Sequence, residues 1–303
     1  MSRASLSLRL TRAQFLPVIL SPVLVGSILA WLMVGRFSLL LFAMVVLGGV
    51  FLHLASNTID DAFDYESGVD VISNNMFPPD FGGWKVLPRG LMTFSQAKLI
   101  AYLLFSAAGL VGLYLTVVTG PVVLLLGVIG AFFAYFHVAP PLRLGYRGLG
   151  LSELGILLSF GVLPVVGSFY VQTGYVSLLS IFLGIPVGLL TVSLLMNHDQ
   201  IFFDAYQKGS KLSLTVTLGR QKATLTVFVM TVASYVMIVA AAIEKVLPFS
   251  ALLVLLTIPL FIVQTKLYRT PAPSPLQYVK LTQTTLALST VFGLLLSLSL
   301  LLG

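Results

Sequence analysis

The chain has 303 residues, 58% of them hydrophobic and only 9% charged, with a mean hydropathy of +1.03. A soluble domain carries about 25% charged residues, so this composition excludes an ordinary water-soluble enzyme and belongs in a bilayer. The net charge of +7 is scattered singly between apolar runs, which argues for membrane orientation rather than nucleic-acid binding, and the lack of cysteine excludes disulfides and thiolate metal sites.

An apolar run of about 20 residues crosses the hydrocarbon core. Nine candidates follow in chain order, at 14–34, 38–57, 95–117, 120–138, 149–170, 177–197, 222–243, 248–265 and 281–302. The first is too long and too late for a cleaved signal peptide, and no small-residue cleavage site follows it. With the N-terminus inside, the inner segments collect Arg3, Arg9 and Arg12, then Lys85, Arg89 and Lys98, then Arg143 and Arg147. The later inner segments hold Lys208, Lys211, Arg220, Lys222, Lys266, Arg269 and Lys280, so only Arg36 and Lys245 fall outside. This asymmetry predicts an all-α, multi-pass protein of the cell membrane with its N-terminus in the cytoplasm.

The same partition puts every acidic residue except Glu244 on the cytoplasmic side, which the orientation rule does not require. Most lie in two clusters. The first ends the second span: Asn57-Thr-Ile-Asp60-Asp61-Ala-Phe-Asp64-Tyr-Glu66-Ser-Gly-Val-Asp70. If the helix continues, Asn57, Asp60 and Asp64 share one face, with Asp61 at its edge. Carboxylates so close repel one another unless a cation intervenes. Mg²⁺ fits, because it takes hard oxygen ligands and bridges protein carboxylates to phosphates.

The second cluster ends the sixth span: Asn197-His198-Asp199-Gln-Ile-Phe-Phe-Asp204-Ala-Tyr206-Gln-Lys208-Gly-Ser-Lys211. The spacing of Asp199 and Asp204 suits a regular helix poorly, so either the helix is distorted there or only one of the two binds metal. A loose echo between Ser21-Pro-Val-Leu-Val-Gly-Ser27 and Val162-Leu-Pro-Val-Val-Gly-Ser168 suggests duplicated halves that set the two clusters face to face. Facing carboxylates flanked by cations describe a Mg²⁺-held di- or triphosphate site, with Lys85, Arg89, Arg143, Lys208 and Lys211 as phosphate partners. His53, His137 and His198 read as hydrogen-bonded structure rather than metal ligands.

These motifs resemble the UbiA superfamily of intramembrane aromatic prenyltransferases across nearly the whole chain. The family closes its second helix with an N-D-x-x-D motif, often followed by K-G-x-D; Asp60-Asp61-Ala-Phe-Asp64 and Ser67-Gly68-Val-Asp70 stand in those places. Its second motif runs on into a G-K-x-T-L-x-V-x-L-G segment, matched with one extra residue by Gly209-Ser-Lys211-Leu-Ser213-Leu214-Thr-Val216-Thr-Leu218-Gly219-Arg220. Pro140-Pro141-Leu-Arg143-Leu-Gly-Tyr146-Arg-Gly-Leu-Gly150-Leu-Ser-Glu153 resembles the loop after its fourth helix, with Ala139 in place of a frequent Tyr. Gly167-Ser-Phe-Tyr170-Val-Gln172-Thr173-Gly174 is similar to the branch that prenylates dihydroxynaphthoate in menaquinone synthesis.

The resemblance implies one domain over residues 1–303. Nine helices, as two pseudo-repeated four-helix halves plus one, would surround a central cavity with a side opening to lipid. It implies two Mg²⁺ ions on Asp60, Asp64, Asp199 and Asp204. Asn57, Lys85, Arg89, Lys208 and Lys211 would hold the pyrophosphate, and Asp61, Lys85, Arg89, Tyr135, Arg143 and Tyr146 would serve the chemistry. Tyr135, Tyr146, Phe63 and Phe203 are the aromatic faces for an allylic cation, and Arg143 the partner of an acceptor carboxylate. The substrates implied are an isoprenyl pyrophosphate and a small aromatic acceptor. Alternatives are other acceptors of the superfamily (geranylgeranylglyceryl phosphate, hydroxybenzoate, haem or chlorophyllide) or, outside it, a secondary transporter. Asp64→Ala is expected to abolish turnover without unfolding the bundle. Oligomeric state is not legible.

Overall fold

A helix satisfies every backbone polar group of such an apolar run within the run itself, and the computed structural model is all-helical. It describes residue 6 and residues 9–76, 85–269 and 274–303, so Arg3 lies outside the described residues. Helix α1 (Pro17–Val34) is followed by α2 (Leu39–Glu66), a short α3 (Val69–Met76), α4 (Phe94–Thr119) and α5 (Val122–Phe136). Next, α6 (Leu151–Leu157) passes through a π-helical turn, Leu158–Val162, into α7 (Leu163–Thr173). Helix α8 (Leu178–Ile201), a short α9 (Phe203–Lys208) and α10 (Leu214–Ile243) follow. A 3₁₀ segment, Phe249–Thr257, leads into α11 (Ile258–Tyr268), and α12 (Pro275–Leu301) closes the chain.

Among the described residues, eight helices are long and apolar enough to cross a membrane. The fourth of the nine expected spans is instead the shorter α5, fifteen residues long. At 1.5 Å per residue α5 reaches about 22 Å, short of the roughly 30 Å hydrocarbon core. Local signals set the ends. Ser38 accepts the Leu41 N–H at the start of α2, and a Thr93/Gln96 capping box opens α4. Gly219, at φ 79° and ψ 160°, interrupts α10 and separates a short amphipathic turn from the membrane run expected from residue 222.

Small residues let the helices meet closely, as in other membrane bundles. A Cβ added at Gly26 of α1 would lie 2.1 Å from the Val165 carbonyl oxygen of α7, so the two echoing segments pack directly on each other. One at Gly161 would lie 2.4 Å from the Gly188 Cα, locking the π turn against α8. Away from the charged loops the core is dry, built from Val25, Leu29, Phe169, Leu183, Leu190, Ile238, Leu288, Phe292 and Leu296. Leu103, Leu110 and Val117 of α4 and Leu125 and Val128 of α5 remain exposed, as lipid-facing positions should. The chain is a multi-pass membrane protein whose charged segments gather at one end of the bundle.

Candidate active site

Helix α2 does continue. Its 28 residues span about 42 Å, so it outruns the hydrocarbon and carries Asn57, Asp60, Asp61 and Asp64 on one unbroken helix. The cations that meet these carboxylates come from the chain itself. Arg12, just before α1, pairs with Asp60 at 3.3 Å and with Asp61. Lys211, in the loop after α9, reaches Asp64 at 2.6 Å, and Lys85 pairs with Asp70. Asp61, Asp64, Asp70, Lys85 and Lys211 are all buried. Burial disfavours the charge on Lys211, but Asp64 and Tyr206 outweigh it and hold the ammonium well above its ordinary pKa. Arg12 is likewise held charged against burial by Asp61 and Asp60. Burial raises the Asp70 carboxyl above its usual range despite Lys85.

Two adjoining cavities lie among these groups. The polar one, of about 40 Å³, is lined by Arg12, Asp60, His137, His198, Asp199, Tyr206 and Lys211, with Ser152 and Ser213. Asp60 and Asp199 therefore do face one space, Asp60 from α2 and Asp199 from α8. The second cavity, of about 100 Å³, shares Arg12, Asp60, His137, Ser152 and Leu195 with the first. It then opens between Asn57, Phe133, Ile156, Ser159 and Phe160. His137 stands at the junction, its Nδ1 3.0 Å from Ser152 Oγ and its Nε2 4.0 Å from Asp60. Burial lowers its pKa against the pull of Asp60, keeping the ring neutral near neutrality.

The second acidic cluster behaves differently. Helix α8 ends at Ile201, and Phe202 leaves helical geometry at φ −101° and ψ 11° before α9 resumes. Asp199, before the break, is buried and hydrogen-bonded by Ser213. Asp204, after it, is 57% exposed and paired with Arg220 at 3.2 Å. Of the two alternatives, the helix is distorted, and the distortion leaves only Asp199 at the cavity.

Other expected residues are not brought together. Asn57 lines the apolar cavity and donates to the Thr11 carbonyl at 2.9 Å. Tyr146 stands behind Asp64, donating to it at 2.6 Å, and is held protonated by burial and that carboxylate. Lys208 is exposed, while Arg89 contacts Asn74 and Arg143 contacts Glu66 at 3.7 Å, none of them lining either cavity. Tyr135 stacks beside Tyr102 and meets Phe63 edge-on, and Phe203 lies under Arg220, so Phe133 and Phe160 supply the cavity's aromatic walls instead. Arg12 and Tyr206 were missed. As one of three basic residues before the first span, Arg12 is indistinguishable in sequence from an orientation charge.

Whether these residues fit a divalent metal is decided by their donors. Among the described residues no three acidic or histidine side chains converge into a metal cage. Asp60 Oδ1, however, is buried without a hydrogen-bond partner and shares its cavity with Asp199. Mg²⁺ is commonly held by one or two carboxylates plus substrate phosphates, so this donor set fits an ion that arrives with a diphosphate.

A membrane-embedded bundle with a charged, cation-rich cavity opening on an aromatic one defines an enzyme for an anionic head on an apolar body. The model of the UbiA prenyltransferase family matches residues 19–300, and the chain belongs to that family. It is a prenyltransferase, which removes the transporter reading. It is 25% identical over 297 residues to the 1,4-dihydroxy-2-naphthoate octaprenyltransferase of Bacillus subtilis, covering 97% of this chain and 92% of that one. It is 28% identical to the 2-carboxy-1,4-naphthoquinone phytyltransferase of Synechocystis, covering 78% of this chain and 74% of the relative. A UbiA homologue from Archaeoglobus fulgidus, solved with DMAPP and Mg²⁺, superposes with a TM-score of 0.65 over 96% of this chain and 99% of the other at 16% identity.

Proposed function

We propose that the protein transfers a prenyl group from an isoprenyl diphosphate to 1,4-dihydroxy-2-naphthoate, as a step of menaquinone synthesis, at the cytoplasmic end of the bundle. The observation that carries this reading is the pair of adjoining cavities: buried Asp199 and Lys211 with half-buried Asp60 and Arg12 around one, aromatic walls around the other. Relatives named for naphthoate substrates, together with the Tyr170 segment, favour this acceptor over the superfamily's others.

Asp60 and Asp199, joined by Asp64 once Lys211 turns to the diphosphate, would hold Mg²⁺ in two ions, which would neutralise the diphosphate leaving group. Lys211, buried, and Arg12, half-buried, are already charged; they bind the diphosphate oxygens and lower the cost of breaking the allylic C–O bond, whose electron pair leaves with the diphosphate. Reaching them requires Lys211 to share or exchange Asp64. Phe133 and Phe160 exclude water from the allylic carbon and offer their faces to its charge, worth about 2 kcal/mol or less. The acceptor's electron-rich ring, seated in the larger cavity with its reacting edge toward the allylic carbon, then forms the C–C bond, and neutral His137 at the junction takes the proton released. The prenyl tail, at about 0.8 kcal/mol per buried CH₂, stays in the membrane throughout.

The test is diphosphate release by the detergent-purified protein from geranylgeranyl diphosphate, with and without Mg²⁺ and dihydroxynaphthoate. Release that needs both supports the proposal. Release with another aromatic acceptor only would keep the chemistry and replace the acceptor.

A further inference from the structure

Hydroxyls in the membrane-spanning helices of this chain almost all turn back on their own backbone. Thr58, Thr116, Thr191, Ser193, Thr231, Ser234 and Ser297 each donate to the carbonyl four residues earlier. Among the described residues, only three buried hydroxyl oxygens have no partner: those of Ser27, Ser159 and Thr290. Of these, Ser159 alone lines a cavity.

The local backbone explains the exception. Ser159 sits in the π turn Leu158–Val162, just before Pro164, which has no N–H for the Phe160 carbonyl. A π turn displaces the carbonyl register that a serine normally uses, and the Gly155 carbonyl already accepts from the Leu158 N–H. The close Gly161–Gly188 contact holds the turn in place. The hydroxyl is thus kept in a low-dielectric cavity without a bond, a desolvation cost that a ligand oxygen would relieve.

Ser152, Gly155 and Ser159 follow at helical spacing on one face, and Ser159 lies about 10 Å further along than Ser152. The cavity therefore runs from the charged group at Arg12 and Asp60, between Phe133 and Phe160, to an isolated hydroxyl. That length suits a fused bicyclic ring with polar substituents at both ends. We propose that Ser159 is a specificity-determining residue that hydrogen-bonds the oxygen substituent on the acceptor's deep edge, the one remote from Arg12. This rests on the reading of the larger cavity as the acceptor site.

The experiment measures binding of 1,4-dihydroxy-2-naphthoate and of 1-hydroxy-2-naphthoate to wild type, Ser159→Ala and Ser159→Thr in detergent, with donor binding and Tm alongside. In wild type the dihydroxy compound binds more tightly. Ser159→Ala should weaken it about 5- to 15-fold, leave the monohydroxy compound and the donor unchanged, and so erase the preference. Its Tm should hold or rise, because the hydroxyl lost had no partner, and Ser159→Thr should keep the preference. Equal losses for both naphthoates, or an unchanged preference in Ser159→Ala, overturn the proposal. A wild type that binds the donor but neither naphthoate overturns the acceptor reading itself, and the inference with it.

Discussion

The two acidic clusters look equivalent as strings of residues, yet they meet different fates. On α2 the helix runs straight through the cluster, so Asp60 and Asp64, four apart, stay on one face, half-buried Asp60 against Arg12 and buried Asp64 against Lys211. On α8 the helix breaks at Phe202, and one carboxylate is kept while the other is turned to solvent. A motif's charge count is therefore a poor guide to its chemistry. What matters is whether the backbone stays helical long enough to hold both side chains toward one space, and whether a buried cation waits there.

That contrast is sharpest in the losses expected on substitution. Asp60→Ala should reduce diphosphate release about 10³-fold, because it removes the unpartnered oxygen facing the cavity. Activity above a tenth of wild type would strip the first cluster of its primacy. Lys211→Met should cost about 10²-fold in turnover and also lower stability by about 3–5 kcal/mol, since it leaves Asp64 buried and uncompensated. Adding Asp64→Asn should restore much of the Tm and none of the activity, a coupling that thermal melts and turnover would separate. The same pairing corrects the expectation for Asp64→Ala. Asp64 is buried with Lys211 and Tyr146 rather than at a water-accessible end, so its loss should lower the Tm as well as turnover, which thermal melts beside an activity assay check.

Across the break the effects shrink. Asp199→Asn, which keeps the shape and an oxygen for Ser213, should lower turnover about 10- to 100-fold. Asp204→Asn should change it by less than about 3-fold and shift stability by about 0–1 kcal/mol, as for an exposed ion pair. Parity between these two variants, measured side by side, would erase the distinction. The smallest effect concerns metal. Chelating divalent ions without donor should leave Tm unmoved, because Arg12, Lys85 and Lys211 already balance the carboxylates. A Tm that falls on chelation alone would mean that the clusters need metal to fold.

Sequence reasoning reached the helical membrane class and the first cluster because both are local properties. Apolar length announces a span, and the i, i+3, i+7 spacing announces a shared face wherever the helix continues. Arg12 escaped because nothing nearby in sequence distinguishes a charge that orients the chain from one that folds onto Asp60 and Asp61. Tyr135 and Phe203 were favoured over Phe133 and Phe160 for a similar reason. Aromatic residues recur through the whole chain, and only packing decides which of them border an empty space. The fourth span shows a different limit: the apolar run at 120–138 extends past both ends of a helix that is fifteen residues long.

What the sequence determined by itself, then, was the solvent each segment must live in, the end of the bundle where its charges collect, and the one helical face that Asp60 and Asp64 share. Those follow from transfer free energies and helical periodicity, which act over a few turns. The tertiary structure decided which cation meets which carboxylate, that Asp199 and not Asp204 enters the cavity, and that Ser159 is left without a partner. Each depends on contacts between segments far apart in the chain, where burial turns a modest attraction into a required pairing and makes a missing hydrogen bond costly.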